Sequence, residues 1–158
     1  MLSCQHLASY YWPVTKLSSG ELALWHAWKR ATETVRTRVA ADIAAQTGLS
    51  DPDFGVLTRV IDAGGRMRQN QLAESMGFHR SRLSHHLGRM RERGLIITEP
   101  ASNGVDVIAT DQGRTLAERA LPVHAAAVRR YLIDPLDGPD LENFRSALER
   151  LADSPARD

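Results

Sequence analysis

Through the first half of the chain, apolar residues recur every three or four positions, which is the period of an amphipathic α-helix. From Ser19 to about Gln46 this pattern is long, and Ser18 or Ser19 can cap its start. Its apolar stripe consists of Leu24, Trp28, Ala31, Val35 and Val39. A second, shorter helix is predicted over "SDPDFGVLTRVIDAGG", because a Ser/Asp cap and a first-turn proline begin it and two glycines end it.

Two further helices, joined by a tight turn, are predicted over "QNQLAESMG" and "HRSRLSHHLGRMRERG", with Gly77 supplying the turn. In the first helix, the residues expected to face the protein interior are Leu72, Ala73 and Met76. In the second helix, an apolar seam is formed by Leu83, Leu87 and Met90. At 100° of rotation per residue, these three side chains lie within about 60° of one another around the helix axis. The arc opposite that seam contains Ser81, Arg82, His85, Gly88 and Arg89.

The period changes to two in "GLIITEPASNGVDVIATDQG", where β-branched residues alternate with polar ones. Strands are predicted at about 95–99 and 105–109. Asn103-Gly104 is the strongest short signal for the hairpin turn that joins them.

Helical spacing resumes after Asp111 and runs to about Leu132, with Pro122 near its middle expected to kink or break the helix. A last helix is predicted from about Pro139 to Leu151. The expected fold is therefore mainly α with a small β-hairpin.

Composition places the chain among soluble globular proteins, since 42% of its 158 residues are hydrophobic and 25% are charged. No run approaches the roughly 18 apolar residues of a membrane span. The N-terminus lacks the basic and apolar regions of a secretory signal. The lone Cys4 cannot form an internal disulfide. We therefore expect a cytoplasmic protein with no membrane partner.

The formal net charge of +1 conceals an uneven distribution. Residues 66–93 carry seven arginines against two glutamates, a net +5, whereas residues 134–158 carry seven acids against three arginines, a net −4. A concentrated positive region in a neutral chain indicates a surface for a polyanion.

A helix pair followed by a hairpin is the winged helix-turn-helix arrangement. The major groove of B-DNA is about 12 Å wide and accepts one α-helix, whose arginines can pair with phosphates or read guanine. An ordinary solvated helix would carry mixed charge, but residues 80–93 hold five arginines and one glutamate. This imbalance favours DNA recognition.

The chain resembles the MarR family of transcriptional regulators, notably its actinobacterial-type members, over roughly residues 19–151. The resemblance is carried by "LWHAWKRATETV", "GLSDPDFGVLTRV", "RMRQNQLAESMGFHRSRLSHHLGRMRERGLI", "ATDQG" and "ALPVHAAAVRRYLIDPL". It implies one domain, 1–158, with a winged helix-turn-helix lobe at 51–110 and mainly dimerisation helices at 19–46 and 111–152. It also implies a homodimer that represses transcription by binding double-stranded DNA at a pseudo-palindromic operator, and in many members a small ligand that releases the DNA.

By position in the family's recognition helix, the resemblance implies DNA contacts from Arg80, Ser81, Arg82, Ser84, His85 and Arg89. The predicted DNA-binding set is completed by Arg66, Arg68, Gln69, His79 and Asn103. The wing departs from the family pattern, because it is several residues shorter and has no Arg or Lys between Arg93 and Arg114. We therefore expect the wing to contribute little, and the recognition helix together with Arg66 and Arg68 to supply more of the affinity.

The sequence gives little support for metal binding, a thiol sensor or catalysis. A histidine metal site is disfavoured because adjacent helical residues such as His85 and His86 diverge by about 100°. Cys4 is more typical of an inert terminal thiol than of a peroxide sensor. We find no catalytic motif, so we expect no enzyme activity, no metal and no cofactor.

Candidate residues for a small-molecule effector site lie on the first helix: Trp25, His26 and Trp28. Tryptophans at helical spacing, however, more often belong to a core or a dimer interface. Two alternatives stay open. One is a constitutive regulator without an effector. The other is a winged-helix module that binds a protein, which the wing without basic residues would suit.

Overall fold

The computed structural model describes residues 16–153, and the chain divides into two compact units, Met1–Glu33 and Thr34–Asp158. The helices are α1 (Ser19–Thr47), α2 (Asp51–Asp62), α3 (Gln69–Ser75), α4 (Arg80–Glu92), α5 (Asp111–Val128) and α6 (Gly138–Ala152). The strands are β1 (Arg66–Arg68), β2 (Ile96–Ala101) and β3 (Gly104–Ala109). The predicted class, mainly α with a winged helix-turn-helix lobe, is confirmed.

The sheet has three strands rather than the two that were predicted. Its order is β1-β3-β2, and both pairings are antiparallel. The additional strand, β1, is only three residues long, too short to show an alternating pattern. It becomes a strand because it pairs with β3, with Met67 opposite Val107.

The hairpin turn lies one position earlier than the Asn103-Gly104 signal indicates. Ala101 pairs with Gly104, so Ser102 and Asn103 form the two-residue turn. Neither has a positive φ, and the left-handed conformation falls on Gly104 at φ 121°.

The core of the second unit lies between α2, the helix-turn-helix and the sheet. Leu57 of α2, Leu72 of α3 and Ile96 of β2 are fully buried. The predicted seam of α4 is buried as well: Leu83, Leu87 and Met90. Burial of this seam fixes which face of α4 points outward.

Pro122 does not end its helix. α5 continues through it to Val128 and passes into a π-helical turn at Arg129–Ile133. A proline removes one backbone donor, which leaves the carbonyl four residues earlier, that of Glu118, without its amide. Both Pro122 and Glu118 are exposed, so water can satisfy that carbonyl.

Much of the apolar surface of α1 and α6 is uncovered in a single chain. In the first unit, Leu24 is 72% exposed and Trp25 and Trp28 are also exposed. In the second unit, α6 buries none of its residues. Among the described residues, no helix has the length and hydropathy needed to cross a membrane.

Candidate nucleic-acid interface

The turn between α3 and α4 sets the direction of the second helix. Gly77 adopts φ 61°, and the amide of Phe78 donates to the carbonyl of Ala73. His79 has extended backbone angles and forms the N-cap of α4. With the seam of α4 buried, the polar residues opposite it or flanking that face are exposed: Ser81, Arg82, Ser84, His85 and Arg89.

The two arginines at the centre of the predicted interface are oriented by neighbours. The guanidinium carbon of Arg82 lies 4.7 Å from the ring centroid of Phe78, a cation–π contact. Nη2 of Arg89 lies 3.2 Å from Nδ1 of His86. Because a guanidinium only donates hydrogen bonds, Nδ1 must be the acceptor, and the proton of a neutral His86 is on Nε2.

His86 belongs to a buried ionic cluster that sequence reasoning missed. It is 7% exposed, and its Nε2 lies 3.1 Å from Oδ1 of Asp53, which is 2% exposed. This contact does not have the angle of a hydrogen bond, so its attraction is electrostatic. A signal was available, since His86 lies about 40° from Met90 on the helix and so borders the buried seam.

Asp53 joins the start of α2 to the end of α4. It forms a capping box with Ser50, and its Oδ2 accepts a hydrogen bond of 2.7 Å from Arg93. Arg93 also donates to the carbonyl of Gly48, at 2.9 Å. Arg93 is therefore paired within the protein at the surface, since 46% of its side chain stays exposed.

The surroundings of this cluster lower the pKa of both Asp53 and His86. Burial alone would raise the pKa of the Asp53 carboxyl, but hydrogen bonds from Ser50 and Arg93 outweigh it and lower that pKa. Burial lowers the pKa of His86, and Arg89, Arg93 and Arg82 add to that effect against the opposing Asp53 carboxylate. His86 is accordingly neutral and Asp53 charged near pH 7.

The two arginines of β1 are paired with acids of the hairpin. Arg66 donates to Glu99 at 2.7 Å and to Asp106 at 3.0 Å, and Nε of Arg68 lies 3.2 Å from Asp106. The sequence does not show this pairing, because the partners stand 33 and 40 positions from Arg66. The positive charge of Arg66 and Arg68 is thus largely compensated by these two acids of the wing.

The remaining predicted positions lie in different surroundings. Gln69 is half-buried at the start of α3, whereas Asn103 is exposed in the hairpin turn and Arg80 is exposed at the start of α4. The effector candidates Trp25, His26 and Trp28 are exposed on α1. Within residues 16–153, no group of three or more metal-ligating side chains comes together. Cys4 lies outside the described residues.

Known proteins share this arrangement of helices and hairpin. A family model described as MarR family matches residues 47–104, which span α2, the helix-turn-helix and most of the hairpin. No curated protein matches the sequence significantly.

Solved structures extend the similarity to most of the chain. AbsC, a MarR family transcriptional regulator from Streptomyces coelicolor, is 28% identical with a TM-score of 0.79, covering 87% of this chain and 95% of AbsC. A second MarR family regulator from the same organism, solved in complex with DNA, is 23% identical with a TM-score of 0.80, covering 90% and 94%. The transcriptional repressor CouR, bound to p-coumaroyl-CoA, is 26% identical with a TM-score of 0.73, covering 88% and 99%.

Proposed function

We propose that this chain is a MarR family transcriptional regulator, since the family model matches residues 47–104 and AbsC is 28% identical over most of the chain, and that it acts in the cytoplasm as a homodimeric repressor that binds a pseudo-palindromic operator. The observation that carries this proposal is the partition of α4. One face is clamped into the core by Leu83, Leu87 and Met90, and the opposite face exposes Arg82, His85 and Arg89. A helix of this kind fits the major groove, and binding requires no catalytic group.

Within the proposed interface, the residues of α4 have different tasks. Arg82 and Arg89 are suited to phosphates or to guanine O6 and N7, while Ser81, Ser84 and His85 can bond to base edges or phosphates. Arg80 and His79 are at the start of the helix, where they would lie near the DNA phosphates at the rim of the groove. Further contacts are proposed from Gln69 and Asn103, and from Arg66 and Arg68 where phosphates can compete with the wing acids.

Dimerisation supplies the second recognition helix. The exposed apolar residues of α1, with Leu24 and Trp28 among them, and the unburied α6 support a second copy as their partner. Two recognition helices about 34–36 Å apart would enter successive major grooves on one face of DNA.

The direct test is selection of bound duplexes from a random pool. A two-fold symmetric consensus is expected, and Arg82→Ala should weaken binding to it about tenfold or more. Arg59→Ala, an exposed arginine of α2 outside the predicted set, is the matched control and should bind normally. If no duplex is bound above the non-specific level, the proposal is wrong, and a winged-helix module that binds a protein takes its place.

We further propose a small aromatic ligand as effector. CouR, 26% identical, was solved with p-coumaroyl-CoA. Trp25, His26 and Trp28 are the candidate contacts, and a ligand can release DNA only as far as it prefers the released state. A screen of aromatic acids and their thioesters against a preformed operator complex should find a compound that lowers affinity and changes tryptophan fluorescence. No change with any compound would favour a constitutive regulator.

A further inference from the structure

Gly88 is an unexpected residue for the interior of the recognition helix. It is the ninth of the 13 residues of α4, and glycine is less favourable inside a helix than every residue except proline. The helix that is proposed to read DNA therefore carries a destabilising residue well away from both of its ends.

Nothing in the fold requires a glycine at this position. A Cβ built on Gly88 meets no heavy atom of the described residues within 4 Å, and its φ is not positive. Gly113 of α5 is different, because a Cβ there would clash with the carbonyl oxygen of Leu95. Packing and backbone conformation explain Gly113, and neither explains Gly88.

The position of Gly88 on the helix suggests an intermolecular reason. At 100° per residue it lies about 20° from Ser81 and about 60° from His85, on the face opposite the buried seam. The surface is concave there, in a shallow depression lined by Ser84, His85, Gly88, Arg89 and Glu92. An α-helix with its side chains is about 10–12 Å across and the major groove about 12 Å wide, so clearance is small.

We propose that Gly88 is a specificity-determining residue of the recognition helix, where the missing side chain admits the major-groove edge of an operator base pair against the helix backbone. This inference rests on the proposed DNA-binding function. A base edge, rather than a phosphate, is the proposed contact because Gly88 lies beside Ser81 and His85 on the face proposed to enter the groove, away from His79 and Arg80 at the helix start. The glycine is kept for fit to DNA, at the expense of helix stability.

The test is a pair of variants, Gly88→Ala and Gly88→Leu, measured for thermal stability and for binding to two duplexes. Gly88→Ala should raise Tm by about 2–4 °C, because alanine favours the helix and has room. Its affinity for the selected operator should fall about tenfold, with a larger loss for Gly88→Leu. Affinity for a scrambled duplex of equal length should stay within twofold. Anisotropy with labelled duplexes measures both affinities.

Gly55→Ala is the control, because Gly55 also lies inside a helix, α2, outside the proposed DNA and dimer surfaces, and its added Cβ would be in ordinary contact, 3.4 Å from Arg59 and Met76. Its operator affinity should be unchanged. The inference is overturned if Gly88→Ala binds the operator as tightly as the wild type, if its Tm falls, or if it loses affinity for both duplexes equally. A wild-type protein without a preferred duplex overturns the proposed function and this inference together, whereas the other results concern Gly88 alone.

Discussion

At the scale of single residues, Asp53 links the start of α2 to two residues of the recognition-helix region, His86 and Arg93. Its carboxylate closes the capping box of α2 with Ser50, receives Arg93 from the end of α4 and faces His86 inside the core. A buried carboxylate is tolerated only when its oxygens are paired. These partners explain why a charge survives at the edge of the hydrophobic core.

Asp53→Asn should therefore destabilise the protein by about 1–3 kcal/mol, because the amide cannot match the charge-assisted bond from Arg93. Urea unfolding followed by circular dichroism measures the change. Asp51→Asn is the matched control, since Asp51 is exposed and its contact with Arg36 is 3.5 Å long. Its effect should stay below about 1 kcal/mol. Equal losses for the two variants would show that burial of Asp53 is unimportant.

His86 gives stability a dependence on pH with a definite sign. Its pKa in the folded protein is lower than the ordinary 6.5, so the unfolded chain binds the proton more readily. The stabilisation is complete above about pH 6.5 and is lost as the pH falls through the lower folded value. Asp53, whose pKa is lowered from 3.8, adds a further loss only in more acidic solution.

His86→Gln should accordingly flatten the fall in Tm between pH 6.5 and 5, because glutamine does not titrate. Thermal melts across that range measure the slope. His79→Gln, at an exposed position, should keep the wild-type slope. A wild-type slope in His86→Gln would assign the effect to other groups.

At the scale of elements, α4 is held along its length and at its end. The seam packs it against the core, Arg93 ties its C-terminus to α2, and Arg91 lies 3.3 Å from Thr98 of β2. The wing is held differently, by the charges that join Arg66 and Arg68 to Glu99 and Asp106. The arginines of residues 66–93 therefore divide into an outward group on α4 and a group engaged with the protein.

Removing one wing acid should make Arg66 more available to DNA. Glu99→Gln is expected to tighten operator binding, and the slope of log affinity against log salt should steepen by about 0.9 if one phosphate contact is added. Affinity measured from 50 to 200 mM salt provides both values. Glu142→Gln, which removes the acid of an exposed pair with Arg145, is the control. Identical slopes in all three proteins would mean that Arg66 does not exchange partners.

The tip of the wing should matter less than the helix. Asn103→Ala, in the exposed turn, is expected to change operator affinity by less than twofold, while Arg82→Ala lowers it about tenfold or more. The same anisotropy measurement compares the two variants, and equal losses would contradict a minor role for the wing.

At the scale of the whole molecule, the exposed apolar residues of α1 are the strongest sign of assembly. Leu24 → Arg should convert the protein to monomers in light-scattering chromatography, because a charge there opposes burial against a second copy. Operator affinity should fall with it, since one recognition helix reads only half of a site. Ile97→Arg, at an exposed apolar residue of the wing strand β2, should remain dimeric. A wild-type protein that is monomeric at micromolar concentration would refute the proposed dimer.

The sequence by itself determined the helices, the hairpin, the buried seam of α4 and the outward arc with Arg82 and Arg89. These features follow from short-range rules, because helical period, alternation and glycine or proline positions act over a few residues. Only the tertiary structure decided that His86 is buried beside Asp53, that Arg93 pairs with Asp53, and that β1 pairs with β3. Each of these depends on partners about 30 to 40 positions away, whose approach is set by packing of the whole domain rather than by local pattern.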